Sequence, residues 1–305
     1  MSNDQSVKAE TRTHYRTCPL CEATCGLAIE VEGDRVVRVR GDKEDPFSRG
    51  FICPKGSTVG ELHHDPDRLR HPLVRRDGRL EEATWDEAFA AIEAGLGRVF
   101  EDHGRESLAL LLGNPTTHHL APALYVGPLV RAAKTRNLYS ASTVDQMPQH
   151  VVSGLLWGDP AAFPIPDIDR TDHLLMLGAN PMASNGSLMT APDFPNRLKD
   201  LPKRGGRLIV VDPRRTETAL RADEHLFIQP GTDVFWLAAM VQTLFEEDLV
   251  SIGKLEPWVE GVETIRELVA PFTPERVAAI CGIDAATTRR HARELARAAA
   301  GAVYG

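Results

Sequence analysis

Residues 207–233 read RLIVVDPRRTETALRADEHLFIQPGTD. An apolar run from Leu208 to Val211 stops at Asp-Pro-Arg, and a second, His225–Asp233, stops at Pro-Gly-Thr-Asp. Apolar residues on consecutive rather than alternate positions mark a strand covered on both faces, the condition of a parallel sheet flanked by helices. The same signature occurs earlier, in DHLLMLGANP (172–181) and in SLALLLGNP (107–115), which reads as a buried strand followed by a helix over 121–134 and a strand in RNLYSA. Further helices are expected over 234–247 and 285–300, and another from Thr84 to about Phe100, where Thr84 and Glu87 have capping-box spacing. The fold class is therefore α/β with doubly wound parallel sheets, whose ligands bind beyond the carboxyl ends of the strands. The closing GAVYG reads as the opening of one more strand, which suggests a part of a longer protein.

The bulk properties narrow the function. The chain has 305 residues, 42% hydrophobic and 26% charged, as expected of globular domains. A net charge of −8 argues against nucleic acid as a partner, and no apolar run reaches the ~20 residues of a membrane span. The polar start, with no apolar leader and no twin arginine, predicts a cytoplasmic location and a disordered segment over 1–13. No GxGxxG or GxxxxGK[ST] loop is present, so an ordinary nicotinamide fingerprint and a P-loop are both excluded.

Four of the five cysteines fall in CPLCEATCGLAIEVEGDRVVRVRGDKEDPFSRGFICPKG, residues 18–56. The segment reads as a small β-rich module, with a hairpin turning at Gly33-Asp34. In a reducing compartment clustered thiols are metal ligands rather than disulfides. Cys18, Cys21, Cys25 and Cys53 suit zinc or an iron–sulfur cluster; a compact trio with a distant fourth favours [4Fe–4S]. Cys281 reads as a small buried hydrophobe.

These cysteines, together with ATWDEAF, LGNPTT, LGANPMASN and VVDPRRTETALRADEHLFIQPGTD in this order, resemble the bis-molybdopterin guanine dinucleotide oxidoreductases. That superfamily contains formate dehydrogenases, nitrate reductases and dimethyl sulfoxide reductases. The resemblance covers nearly all of the chain after residue 13. It implies a small iron–sulfur domain (14–66), the first half of a second, Rossmann-like α/β domain (67–141) and a third, dinucleotide-binding α/β domain (142–305). The implied cofactors are a [4Fe–4S] cluster on Cys18, Cys21, Cys25 and Cys53 and a bis-molybdopterin guanine dinucleotide carrying molybdenum or tungsten.

The same resemblance implies roles for individual residues. Lys55 is expected between cluster and pterin, where a cation stabilises added electron density. Gly178, Asn180 and Ser184 are candidates for phosphate contacts, Asp212 for a ribose or guanine, and Arg214 for phosphate. Gly231, Thr232 and Asp233 form a turn at a helix start, where Asp233 either pairs with guanine or caps the helix; Asn114 is a similar candidate. The metal ligand is expected in LYSASTVDQMPQHVVSGLLWGD, which lacks cysteine but offers Ser140, Ser142, Thr143 and Asp145 as oxygen donors; Asp145 is favoured, with Ser140 and Ser142 as alternatives. His150 is either a proton relay or a packing residue, and His118 and His119 are weaker candidates of the same kind.

The activity implied is two-electron oxygen-atom or hydride transfer on a small molecule, with electrons relayed through the cluster to a redox partner protein or electron-transfer subunit. The alternatives are a non-catalytic iron–sulfur electron-transfer or docking protein of the same ancestry, and a structural zinc protein.

Overall fold

The computed structural model describes residues 10–305 other than 114, 187 and 188, with no side chain described at 115, 143 and 144. The chain divides into two compact units, Met1–Phe163 and Pro164–Gly305.

The first unit opens with an antiparallel sheet of β1 (Thr11–Thr17), β2 (Gly26–Glu32) and β3 (Arg35–Gly41), in that order. The β2–β3 hairpin turns at Gly33-Asp34 as its sequence predicts, with Gly33 at φ +58°. Residues 11–13 are not disordered as their composition suggested. They pair with Glu32, Val31 and Glu30, and Thr11 Oγ1 donates to Glu32 Oε1 at 2.9 Å. Beyond β3, Gly41 lies so close to Gly50 that a Cβ there would stand 2.1 Å from the Gly50 carbonyl oxygen. That approach returns the chain to Cys53 and to α1 (Pro54–Ser57) and α2 (Val59–His64).

A short hairpin, β4 (Leu73–Arg76) and β5 (Arg79–Glu82), precedes α3 (Trp85–His103). The capping box forms as predicted: Glu87 N–H donates to Thr84 Oγ1 at 3.3 Å, and Thr84 N–H donates to Glu87 Oε2 at 2.8 Å. Next come β6 (Leu110–Leu112), α4 (Pro115–His118), α5 (Leu120–Ala133) and β7 (Leu138–Ser140), with β6 and β7 paired in parallel. The βαβ unit is present, but β6 is not the buried strand its apolar run suggested. It lies in a two-stranded sheet, and Leu111 is 80% exposed because no described element packs over it. Helices α6 (Ser142–Asp145) and α7 (Met147–Trp157) complete the unit.

The second unit is built on four parallel strands: β8 (His173–Leu177), β9 (Arg207–Val211), β10 (Glu224–Leu226) and β11 (Gly301–Tyr304), in the order β10-β9-β8-β11. Helices α8 (Pro181–Ser184) and α9 (Phe194–Asp200) follow β8. Helices α10 (Asp233–Glu246), α11 (Val262–Val269), α12 (Pro274–Cys281) and α13 (Ala285–Arg297) lie between β10 and β11. Strand pleating sorts the apolar runs onto two faces. Leu175, Leu177, Ile209 and Val211 pack with Trp236, Met240, Val277 and Cys281. Leu174, Met176, Leu208 and Val210 pack with Met189, Phe194 and Leu198. Two covered faces explain why these runs show no alternation in sequence. Each fully buried Leu or Met contributes roughly 1.5–3 kcal/mol of transfer free energy. Trp236 also satisfies its ring N–H, donating from Nε1 to Thr288 Oγ1 at 3.1 Å. Strand β10 is only half-buried, since it forms an edge of the sheet. Cys281 is fully buried in this core, the role its setting predicted.

Among the described residues, no helix is long and apolar enough to cross a membrane.

Candidate functional site

Strand β1 delivers Cys18, and a loop returns through Cys21 to Cys25 at the start of β2. The loop is closed by Cys18 N–H donating to the Cys25 carbonyl at 2.8 Å and Thr24 N–H donating to the Cys21 carbonyl at 3.2 Å. Its base is tied to the 42–53 loop, where Gly26 N–H donates to Ser48 Oγ at 3.0 Å and Ser48 Oγ donates to Asp45 Oδ2 at 2.6 Å. Cys53 is the N-cap residue of α1, and Gly56 lets that helix approach the loop. A Cβ on Gly56 would lie 2.8 Å from Ile52 Cγ1 and 3.7 Å from Cys18 Sγ. The glycine of CPKG is thus required by packing, which its sequence context alone did not reveal.

Cys18 and Cys25 are buried, Cys21 and Cys53 half-buried, and Leu27, Ile29, Val39, Phe51 and Ile52 surround them. Burial pushes the Cys25 thiol up to about 12, and the neighbouring Cys18, Cys21 and Cys53 thiols push in the same direction. Burial also raises Cys18, while Lys55 lowers it. The four thiols therefore share one electrostatic neighbourhood, with an exposed cation beside it. Among the described residues, no group of three or more His, Cys, Asp or Glu side chains converges tightly enough for a single metal ion. Four neighbouring thiols in an apolar shell suit an iron–sulfur cluster.

His118, at the end of α4, stands 3.3 Å from Glu22 Oε1 through its Nε2, so the βαβ segment touches the cysteine loop. The pair is within charge range but not aligned as a hydrogen bond. His119 is exposed. His150 points its Nδ1 at the Pro160 carbonyl at 2.9 Å, and its ring meets Phe163 edge-on at 4.7 Å. Because a carbonyl only accepts, Nδ1 carries the proton there and Nε2 is the open nitrogen of the neutral ring. Ser142 and Asp145 begin and end the single turn of α6 and so share one face, with Ser140 ending β7 just before it. Asp145 is exposed; Ser140 and Ser142 are half-buried.

In the second unit the parallel order brings the predicted dinucleotide residues to one edge. Gly178 follows β8, Asp212 follows β9, and Gly231, Thr232 and Asp233 follow β10. Strands β8, β9 and β10 run successively to one side and β11 returns on the other, so the sheet reverses its order beside β8, where open α/β sheets bind ligands. Gly178 adopts φ +64° and donates its N–H to the Val211 carbonyl at 2.9 Å. Asp212 is buried and accepts from Arg214 N–H at 2.7 Å, which directs the exposed Arg214 out of the turn. Thr232 is the N-cap residue of α10, but its hydroxyl donates to the Gln229 carbonyl at 2.6 Å instead of capping. Asp233 occupies the first helical position, where a carboxylate favours the positive end of the helix dipole. Ser184 is exposed at the end of α8. Asn180 is engaged within the protein at both ends of its amide. Its Nδ2 donates to Glu217 Oε2 at 2.7 Å, and its Oδ1 accepts from the Thr218 hydroxyl at 2.7 Å and the Thr218 N–H at 3.2 Å. Asn114 lies outside the described residues.

Comparison with known proteins gives the family of the chain. Residues 68–300 match the molybdopterin oxidoreductase family, and residues 11–65 match the molybdopterin oxidoreductase Fe4S4 domain. The chain is 31% identical over 273 residues to the F420-dependent formate dehydrogenase subunit alpha of Methanocaldococcus jannaschii, covering 88% of this chain and 38% of that protein. It is 28% identical over 310 residues to the nitrate reductase of Symbiobacterium thermophilum, covering 95% of this chain and 39% of that protein. Among solved structures, acetylene hydratase from Pelobacter acetylenicus superposes with a TM-score of 0.77 at 25% identity, covering 95% of this chain and 39% of that one. The chain thus spans about two fifths of the length of these relatives.

Proposed function

The chain belongs to the molybdopterin oxidoreductase family, and we propose that it forms the cluster-bearing and dinucleotide-binding part of a catalytic subunit that carries two-electron chemistry on a small molecule. The family's molybdopterin cofactor and 4Fe–4S cluster frame what the residues do. Cys18, Cys21, Cys25 and Cys53 hold the cluster, and the apolar shell around them limits access of water. Lys55 supplies the positive charge that favours an added electron, on the route toward a redox partner or electron-transfer subunit. Gly178, Ser184, Asp212, Arg214, Gly231, Thr232 and Asp233 line the strand ends as donors and acceptors for the pterin dinucleotide of a bis-molybdopterin guanine dinucleotide centre. Asp145, or else Ser140 or Ser142, offers molybdenum or tungsten a hard oxygen ligand. His150, with Nδ1 bound to Pro160, presents Nε2 to accept a proton. The bound cofactor supplies the oxygen-atom or hydride transfer, and the chain supplies binding, orientation and charge.

The observation that carries this reading is the gathering of Cys18, Cys21 and Cys25 in one hydrogen-bonded loop within an apolar shell, against which the helix begun by Cys53 packs through Gly56. The test is metal analysis with a visible spectrum on anaerobically purified protein. About four irons per chain with near-stoichiometric molybdenum or tungsten supports the full reading. Iron alone reduces the chain to an iron–sulfur electron-transfer or docking protein, and zinc without iron overturns the cluster.

A further inference from the structure

Thr218 is fully buried, yet it is polar, and its side chain lies between the loops that follow β8 and β9. Its hydroxyl donates to Asn180 Oδ1 at 2.7 Å and accepts from Met182 N–H at 3.1 Å, while its backbone N–H donates to the same Asn180 oxygen at 3.2 Å. The neighbouring Glu217 accepts from Asn180 Nδ2 at 2.7 Å. Two residues before Asn180, Gly178 N–H donates to the Val211 carbonyl at 2.9 Å. The loop after β8 is therefore fastened to the β9 side at Gly178, Asn180 and Met182, and two of these three attachments use the Thr218 hydroxyl.

We propose that Thr218 is the positioning residue of the dinucleotide site: it fixes the backbone of the 178–184 loop so that the N–H groups of Ala179 and Asn180, together with the Ser184 hydroxyl, meet a phosphate. The inference rests on the reading that the dinucleotide binds at these strand ends. A backbone site for phosphate works only if held to within about half an ångström, and a loop beginning with a glycine at positive φ has no stiffness of its own. The fastening supplies that stiffness. It also gives Asn180 a role different from the one its sequence suggested. With its amide spent on Glu217 and Thr218, Asn180 joins the two loops and leaves ligand contact to the backbone around it.

The test compares Thr218→Val and Thr218→Ser with the wild type by hydrogen–deuterium exchange and by titration with guanosine diphosphate, the nucleotide fragment of the expected ligand. Thr218→Val preserves shape but leaves Met182 N–H without an acceptor, whereas serine retains the hydroxyl. We expect Thr218→Val to raise exchange of the 178–186 amides about tenfold or more and to weaken the nucleotide about tenfold or more, since both hydrogen bonds of the hydroxyl are lost. Amides of β8 and β9 stay protected, and Thr218→Ser behaves like the wild type. Unchanged exchange and affinity in Thr218→Val overturn the proposal. Exchange that rises equally through β8 and β9 also overturns it, reducing Thr218 to a general core residue. Failure of the wild type to bind guanosine diphosphate, with the loop still loosened by Thr218→Val, overturns the reading of the ligand and with it the positioning role, although the fastening itself then stands.

Discussion

Lys55 lowers the pKa of the Cys18 thiol, opposing the burial that raises it. The same field acts on any electron added near Cys18. At an exposed position it amounts to roughly 0.5–1 kcal/mol, or about 20–40 mV for a one-electron couple. Lys55→Met is therefore expected to shift the reduction potential of the cluster to more negative values by a few tens of millivolts. A redox titration followed by electron paramagnetic resonance measures this. An unchanged potential would show that the lysine does not act on the cluster.

The cysteines separate by role in a second experiment. Replacing Cys18, Cys21, Cys25 or Cys53 with serine removes one of the four proposed cluster ligands and should lower iron per chain and the visible absorbance. Cys281 is buried in the core of the second unit, where its thiol faces the Ile283 carbonyl at 3.7 Å. Cys281→Ala should keep the iron and cost about 1–2 kcal/mol of stability through a small cavity. Loss of iron in Cys281→Ala, or its retention in all four serine variants, contradicts this division.

What was legible in the sequence follows from how local each signal is. The capping box of Thr84 and Glu87, the hairpin at Gly33 and the consecutive apolar runs of β8 and β9 each depend on neighbouring residues, and each formed as expected. The closing GAVYG announced a strand, but its place beside β8 depends on the order of the crossovers, which no local pattern carries. The exposure of Leu111 was hidden for a related reason: an apolar run states that a strand can be covered, not which elements cover it. Among the candidate site residues, Gly178 and Asp212 were visible through the turns that end their strands. Thr218 was not, because its partners Asn180 and Met182 lie 38 and 36 residues away and a buried threonine in a polar stretch has no signature.

Asp145 is the favoured oxygen ligand, and its variant tests that assignment directly. It is exposed at the end of α6, and its backbone N–H donates to the Ala141 carbonyl at 3.2 Å, a bond that alanine retains. Asp145→Ala should therefore fold normally and keep its iron. In protein carrying molybdenum or tungsten, X-ray absorption at the metal edge is expected to show the loss of one oxygen neighbour. An unaltered edge spectrum moves the assignment to Ser140 or Ser142.

Stability should fall on mild acidification, because the second unit buries His173, at the amino end of β8, and His291, in α13 beside Glu224 at the start of β10. Burial lowers the pKa of both His291 and His173 below the ordinary histidine value. The groups facing His291 are Glu224, at 3.4 Å from Nε2, and Glu294, at 3.5 Å from Nδ1, with Arg290 bridging the two carboxylates. Arg207 pairs with both carboxylates, and it and Asp172 also act on His173. Glu224 and Glu294 oppose this lowering, but burial, aided by the Arg290 charge, outweighs them. A histidine held neutral in the folded state binds fewer protons than in the unfolded chain. Stability is then full above the unfolded value of about 6.5 and is lost as pH falls from there toward the folded value. Glu224, held below the ordinary carboxylate value chiefly by its hydrogen bonds from Arg290, stays ionised through that window and adds its own loss only at lower pH. Urea unfolding followed by circular dichroism should therefore show stability declining from pH 7 to pH 5. The decline should be shallower in His291→Phe, whatever that variant's absolute stability. Equal slopes for the two proteins would remove His291 from this account.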